Sequence, residues 1–478
     1  MSARDVIALA PLLMPLLILA AAPVAIMLVI AVRRSHILTF ALSAGAVAAA
    51  LASIPSAAAL APRQVTGLLI IDAYALFFTG LILLAGLFVL LLSYDYLKRH
   101  EESREEFYLL LLTALLGAVI LAASSHFASF FLGLEVLSVS LYALIAYLRI
   151  NALCIEAGIK YLILAAFSSA ILLFGMALVY ARSGTLALSG VALAMSAAGA
   201  DPALMAGTVL IIVGIGFKLA VVPFHMWAPD VYEGAPAPVA GLVATVSKGA
   251  VFAFLLRYFM EPGPAGGGVL AVIFTGIAVL SMFAGNLLAL FQDNVKRLLA
   301  YSSIAHMGYL LVAFLASGPH RVMVAIFYLA AYFVTTLGAF GIVTVLSEGG
   351  RDADALEDYR GLFHRRPWIA GIFTAMLLSL AGIPLTAGFI GKFFMIAAGV
   401  ASSRWLLVAS LVITSAMGLF YYLRVIVVLY TPATPSAADI VPIRPLGKIT
   451  LAVLVALLLG LGVYPGPVTE LISAMTAR

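Results

Sequence analysis

Cysteine is almost missing from this chain: Cys154 is the only one in 478 residues. A single thiol excludes an internal disulfide, a cysteine-ligated iron–sulfur cluster and a zinc-finger site. Charge is scarce as well. Charged residues make up 10% of the sequence, against about 25% in a soluble domain. No connector between apolar runs is large enough to form a soluble domain. What remains is oil: 65% hydrophobic residues and a mean hydropathy of +1.19. These values describe a polytopic membrane protein. The net charge of +5 is then no nucleic-acid signal, because basic residues in such a chain set topology at the loops. The first apolar run, Val6 to Val32, exceeds the roughly 7–15 residues of a signal-peptide core and reads as a retained span.

A helix needs about 20 apolar residues to cross a bilayer. Fourteen such runs follow one another, at 6–32, 37–60, 67–96, 107–123, 126–148, 157–181, 203–226, 236–260, 268–291, 297–317, 321–347, 367–400, 404–430 and 447–464. Longer connectors lie at 98–106, 182–202, 347–366 and 431–446. The predicted fold class is an all-α polytopic membrane protein of about 14 transmembrane helices, forming one membrane domain.

Orientation follows from counting. With the N-terminus outside, fourteen Lys and Arg fall in inside loops and seven outside, Arg4 and Arg478 among the latter. That bias fits the positive-inside rule, and an even span number returns the C-terminus to the outside. Five basic residues are left over, and all lie within spans: Lys160, Lys218, Lys248, Lys392 and Arg424.

Depth decides which of these need a reason. A lysine at a helix centre costs about 2.5–3.5 kcal/mol on insertion scales, whereas a long side chain near a helix end can snorkel. Arg424 and Lys160 lie near the inner ends of their spans, and snorkelling accounts for Arg424. Lys248 is about 12 residues into its span, or ~18 Å at 1.5 Å per residue. Lys218 and Lys392 reach similar depth. Glu135 and His306 are each about nine residues in, roughly 14 Å by the same rise. Asp72 and Asp95 sit at the two ends of one span and reach none of these groups. Structural ion pairing would need one acid per base, and Glu135 alone faces three deep lysines. The imbalance favours groups that exchange protons, since an amine in a low dielectric can exist neutral. A row of such groups is a proton relay. Neither His225 nor His306 belongs to a metal-binding spacing. His225, near the inner end of its span, suits gating or packing as well as transfer.

Two spans are interrupted. Pro223 follows Lys218 by five residues, and Gly382, Pro384 and Gly388 precede Lys392. Proline removes a backbone donor and clashes with the preceding turn, and irregular backbone at membrane depth is tolerated only where it is buried in protein or lines a wet cavity. Paired broken helices mark an ion path built on inverted repeats. Spans four to eight (107–260) and nine to thirteen (268–430) are both five-helix blocks, each with its fourth helix broken. Because five is odd, the second block is expected to run inverted. Residues 1–106 form three preceding helices and 431–478 carry the last. Asp230 and Glu233 fall beyond the apolar run, where they are expected to cap the turn into the next helix.

The stretch "GFKLAVVPFHMWAPDVYEGAPAPVAGLVATVSKGA" resembles the signature segment of the antiporter-like subunits of respiratory complex I. The resemblance extends over nearly the whole chain, through Glu135 in the fifth span, "GIKYLILAAFSSAILLFG" in the sixth, "AYSSIAHMGY" in the tenth and "GIPLTAGFIGKFF" in the twelfth. It implies a membrane-arm subunit contributing to proton translocation driven by NADH oxidation and quinone reduction elsewhere in the complex. Within it, Glu135 and Lys218 match the coupling pair, Lys248 the connecting lysine, Lys392 the twelfth-span lysine and Lys160 an additional sixth-span lysine. Implied partners are the antiporter-like subunit M, the small membrane subunits and the lipid bilayer, with no nucleic acid. The implied location is the bacterial inner membrane, multi-pass, with both termini on the periplasmic side. The chain has no G-x-G-x-x-G after a strand and no cysteine cluster. It is therefore expected to bind no cofactor itself, leaving NADH, FMN, iron–sulfur clusters and quinone to partner subunits.

Two other readings stay open at this level. One is a cation/proton antiporter on the same fold, disfavoured because a metal cation wants oxygen ligands and deep carboxylates are limited to Glu135. The other is a silent scaffold, which leaves deep lysines without acids unexplained.

Overall fold

A backbone in hydrocarbon must satisfy its own polar groups, and helices do so within one segment. The computed structural model describes residues 3–100, 104–197, 201–260, 268–318, 320–348, 350–432 and 444–476. Arg478 and much of the connectors at 98–106 and 431–446 lie outside them. The helices run α1 (Ala3–Val32), α2 (His36–Ala52), α3 (Ile54–Ala58), α4 (Ala73–His100), α5 (Glu105–Ala123), α6 (Phe127–Ile145), α7 (Ala152–Ser183), α8 (Leu188–Ala197), α9 (Pro202–Leu219), α10 (Trp227–Gly234), α11 (Ala237–Leu242) and α12 (Lys248–Met260). They continue with α13 (Gly268–Ala289), α14 (Val295–Leu315), α15 (Arg321–Leu346), α16 (Leu362–Arg365), α17 (Pro367–Ala381), α18 (Ala387–Ala401), α19 (Trp405–Tyr430), α20 (Pro445–Val463) and α21 (Gly466–Thr476).

Among the described residues, 13 helical segments are long and apolar enough to cross a membrane. The half-length helices α17 and α18 make up the expected twelfth span, so the count of about fourteen stands. The expected seventh span appears as the continuous helix α9, followed by a turn and α10, and the expected twelfth as the two helices α17 and α18.

The structure corrects several boundaries. Residues 67–71 do not begin a helix; β1 (Arg63–Val65) and β2 (Leu69–Ile71) pair antiparallel as a small hairpin. Its turn takes positive φ at Thr66 and Gly67, and β-branched Val65, Ile70 and Ile71 suit strands. The seventh span ends at Leu219, four residues ahead of Pro223, where Ala220 takes a positive φ. The eighth span contains one π-helical turn, Val243–Ser247, directly before Lys248. Short helices α8 and α21 were not foreseen.

The chain divides into two compact units, one of Met1–Leu90, Glu101–Leu219 and Val246–Ala265, the other of Leu91–His100, Ala220–Thr245 and Gly266–Arg478. In the first, α7 packs along α9, α5 along α6, and α12 against α5. A bidentate pair between Arg257 and Asp72, at 2.9 Å in both bonds, ties α12 to the start of α4. In the second, α13 packs along α14, and α15 against α17, α18 and α20. Helices α14 and α15 are buried along nearly their whole length, which puts any polar group on them inside protein.

Candidate functional site

Each unit holds its own polar cluster. In the first, Lys218 stands in the last turn of α9 and is 3% exposed. Lys218 Nζ donates to Ser138 Oγ at 2.7 Å and lies 5.4 Å from the Tyr161 ring centroid. Such cation–π contacts add about 0.5–2 kcal/mol. Ser138 is one turn along α6 from Glu135. Glu135 is half-buried and accepts from Ser169 Oγ of α7 at 2.7 Å. Lys218 and Glu135 thus share a cluster, each bonded to a hydroxyl, with no direct ion pair between them among the described residues. The Tyr161 hydroxyl lies beside Ser247, the residue before Lys248, which is fully buried. A single π turn re-aims the side chains that follow it and is frequent at functional sites.

Lys160 stands apart from this cluster. It forms an i,i+4 pair with Glu156 at 2.7 Å, and its side chain is 42% exposed.

The second unit is organised by the break between α17 and α18. Helix α17 ends in a Schellman motif. Gly382 takes the left-handed conformation at φ 87°, its N–H donates to Ser379 O, and the Ile383 N–H donates to Leu378 O, both at 3.0 Å. Two carbonyls are left over, those of Leu380 and Ala381. Lys392 Nζ, from the second turn of α18, takes both at 2.9 Å and adds Ser415 Oγ at 2.8 Å. Gly388 makes this fold-back possible. A Cβ there would sit 1.9 Å from Ser379 O, and its N–H donates to Ser379 Oγ at 3.1 Å.

Lys392 Nζ also lies 5.1 Å from the Tyr309 ring centroid, and that ring meets His306 edge-on. His306 Nδ1 is 2.6 Å from the Tyr328 hydroxyl and Nε2 is 3.3 Å from that of Tyr422, which also pairs with Ser302. Ser303 accepts from Tyr332 at 2.7 Å and lies 3.4 Å from the Tyr232 hydroxyl. Asn286 donates to the Tyr309 hydroxyl at 2.9 Å and accepts from Tyr421 at 3.1 Å. These tyrosines, with Asn286, Ser303 and Ser415, were missed in the sequence. The signal for Tyr309, Tyr328, Tyr332, Tyr421 and Tyr422 was position, since membrane tyrosines belong at interfaces and these fall within predicted spans, whereas Tyr232 falls in a predicted connector.

His225 lies in the turn between α9 and α10, buried, and its Nδ1 has no hydrogen-bond partner among the described residues. Pro223 lies two residues before it; the preceding amide, Val222 N–H, donates to Ser281 Oγ at 2.9 Å. Asp230 and Glu233 do not cap the next helix. They belong to α10 and pair with Arg297 at 2.9 and 2.6 Å, because about two turns of helix form where a loop was expected. Arg424 reaches the backbone carbonyl of Gln292 and pairs with Asp293 at 3.6 Å, the end-seeking behaviour expected of it. Among the described residues, no group of three or more His, Cys, Asp or Glu could hold a metal ion.

Residues 124–418 match the family model described as NADH:quinone oxidoreductase/Mrp antiporter, TM. The chain belongs to that family. Among its curated relatives, NADH-quinone oxidoreductase subunit N of Methylococcus capsulatus is 49% identical over 462 residues, covering 96% of this chain and 93% of the relative. The subunit N of Ectopseudomonas mendocina is 48% identical over 470 residues, covering 96% and 95%. A chain in the structure of respiratory complex I from Thermus thermophilus with bound aureothin superposes with a TM-score of 0.83 at 34% identity, covering 96% of this chain and 99% of that one. A chain of the Mrp complex from Dietzia sp. superposes at 0.85 with 20% identity over 97% and 96%, a likeness of fold alone.

Proposed function

We propose that this chain is a proton-translocating membrane-arm subunit of an NADH–quinone oxidoreductase. NADH oxidation and quinone reduction in partner subunits, which hold the FMN, iron–sulfur clusters and quinone, drive protons through Glu135, Lys218, Lys248, His306 and Lys392. The observation that carries this reading is the way Lys218 and Lys392 are held. Both ammonium groups are buried, and among the described residues both are bonded to neutral oxygens, Lys218 to the Ser138 hydroxyl and Lys392 to the Ser415 hydroxyl and the carbonyl end of α17. A lysine locked to a carboxylate is a structural charge. A lysine held by hydroxyls and carbonyls keeps its bonding geometry while its charge is free to follow the fields around it. Glu135 supplies the countercharge one turn from the Lys218 contact. The buried hydroxyls and His306 supply groups that both donate and accept.

The reading places the chain in the bacterial inner membrane with both termini on the periplasmic side, beside subunit M and the small membrane subunits. A cation/proton antiporter is the competing function on this fold. Purification of the native complex through a tag on this chain separates the two. NADH-oxidising subunits and NADH-driven quinone reduction are expected to co-purify; a preparation holding antiporter subunits alone would replace the first reading by the second.

A further inference from the structure

A fourth buried lysine lies outside the two clusters already described. Lys296, in the first turn of α14, is 1% exposed. Its Nζ donates to Asp352 Oδ2 at 2.6 Å and to the Ala235 carbonyl, at the end of α10, at 2.7 Å. Asp352 accepts a further bond from the Tyr96 hydroxyl at 2.8 Å. On its other side Asp352 lines a cavity of about 290 Å³, walled also by Glu348, Arg351, Arg365 and Arg366. The pair therefore has one wet face and one dry face. A buried ion pair adds little stability once desolvation is counted, so stability alone is a poor reason for it.

The dry face leads inward along α14. Ser303 is two turns beyond Lys296 on the same side of the helix, about 10 Å at 1.5 Å per residue. The Tyr232 hydroxyl beside Ser303 comes from α10, the helix whose last carbonyl holds Lys296. From Ser303 the hydroxyl of Tyr332 leads to the His306 ring, 5.4 Å away between centroids.

We propose that Lys296 and Asp352 form the gate between the charged cavity and the hydroxyl–imidazole network on α14. This rests on the proton-translocating reading above. Asp352 takes a proton from cavity water and becomes neutral, which releases the Lys296 ammonium. Lys296 gives a proton to the hydroxyl and water chain at Tyr232 and Ser303 and becomes a neutral amine. The Asp352 carboxylic acid then returns its proton to Lys296, restoring the pair. One proton has entered and nothing else has changed. Both residues act as positioning and relay groups for His306 and Lys392.

The test uses the assembled complex in vesicles that expose the 347–366 loop. Ser303→Cys reports access through a membrane-impermeant methanethiosulfonate, read by the mass of the labelled peptide. Slow labelling is expected with the pair intact. Adding Asp352→Asn is expected to speed it on the order of tenfold by shifting the population toward the open state and to lower protons pumped per NADH, with Asp352→Glu restoring both. Unchanged labelling in Asp352→Asn overturns the gate. If Asp352→Asn does not assemble, Tyr96→Phe carries the test: faster labelling supports the gate and an unchanged rate overturns it. Lys218→Met in the same preparation keeps the two ideas apart. Pumping lost in Lys218→Met but kept in Asp352→Asn defeats the gate alone, whereas pumping kept in Lys218→Met defeats the proton-translocating reading itself.

Discussion

Lys392 reaches back across a helix break to donate to the Ala381 carbonyl at 2.9 Å, so that the second half of a broken helix caps the first. Lys218 stands on the other side of its break, in the last turn of α9 before it. Lys392 uses the negative end of α17, whereas Lys218 donates to the Ser138 hydroxyl of α6. The break between α17 and α18 is thus part of how buried positive charge is held.

Gly388 sets the approach of the two half-helices. Gly388→Ala puts a Cβ 1.9 Å from Ser379 O, and overpacking of this kind costs about 1–3 kcal/mol. The half-helices must separate, lengthening the Lys392 bonds. The expected result is a chain that inserts but pumps poorly, together with a lower thermal midpoint of the purified complex; wild-type pumping and midpoint would show that the fold-back has no role.

The two hydroxyls on His306 are unequal. Tyr328 binds Nδ1 at 2.6 Å and Tyr422 lies 3.3 Å from Nε2. A typical buried hydrogen bond contributes about 0.5–1.5 kcal/mol, and the shorter contact should contribute more. Tyr328→Phe is expected to lower quinone-coupled pumping more than Tyr422→Phe, measured as initial rates in proteoliposomes. The reverse order would show that the path runs through Nε2.

Lys160 and Lys218 should differ sharply. The half-exposed Lys160–Glu156 pair has the character of surface ion pairs, which contribute about 0–1 kcal/mol. Lys160→Ala is expected to reduce pumping by less than Lys218→Met does in parallel preparations. An equal loss would place Lys160 in the relay after all.

Asp201 sets the start of α9. Its Oδ1 accepts from the Ala203 and Leu204 amides at 2.9 and 3.2 Å, an N-cap, and the Arg182 guanidinium bonded to it holds its carboxyl below the usual range. A depressed folded value means the contribution is present above the unfolded aspartate pKa of about 3.9 and is lost as pH falls through the lower folded one. Asp201→Ala at neutral pH, and the native chain at acid pH, are both expected to lose amide protection over residues 203–207, after correction for intrinsic exchange. Unchanged protection would mean that packing against α7 alone fixes that end.

The sequence made the charges legible and left their company hidden. Lys218, Lys248, Lys392, Glu135 and His306 stood out because ionisable groups in a 20-residue apolar run have few explanations, and Gly382, Pro384 and Pro223 marked the breaks by their backbone chemistry alone. Which hydroxyls surround them was not legible. Helices α14 and α15 are buried on nearly every side, so no amphipathic stripe tells which of Ser303, Tyr328 or Tyr332 turns toward His306. The Lys392 cap depends on how one half-helix folds back on another, which spacing does not encode. The β-hairpin at 63–71 was hidden for a different reason: its second strand, Leu69–Ile71, is as apolar as the span that follows it.

The most direct test of the central claim is the number of protons delivered per NADH oxidised by the reconstituted complex carrying Lys218→Met, with assembly checked on the same sample. The neutral side chain keeps the bulk of lysine and removes the exchangeable proton. The account predicts an assembled complex whose proton delivery falls on the order of tenfold or more, the scale of losing a proton-transfer group, with coupled quinone reduction falling alongside it. An assembled complex that pumps at the wild-type ratio would contradict it.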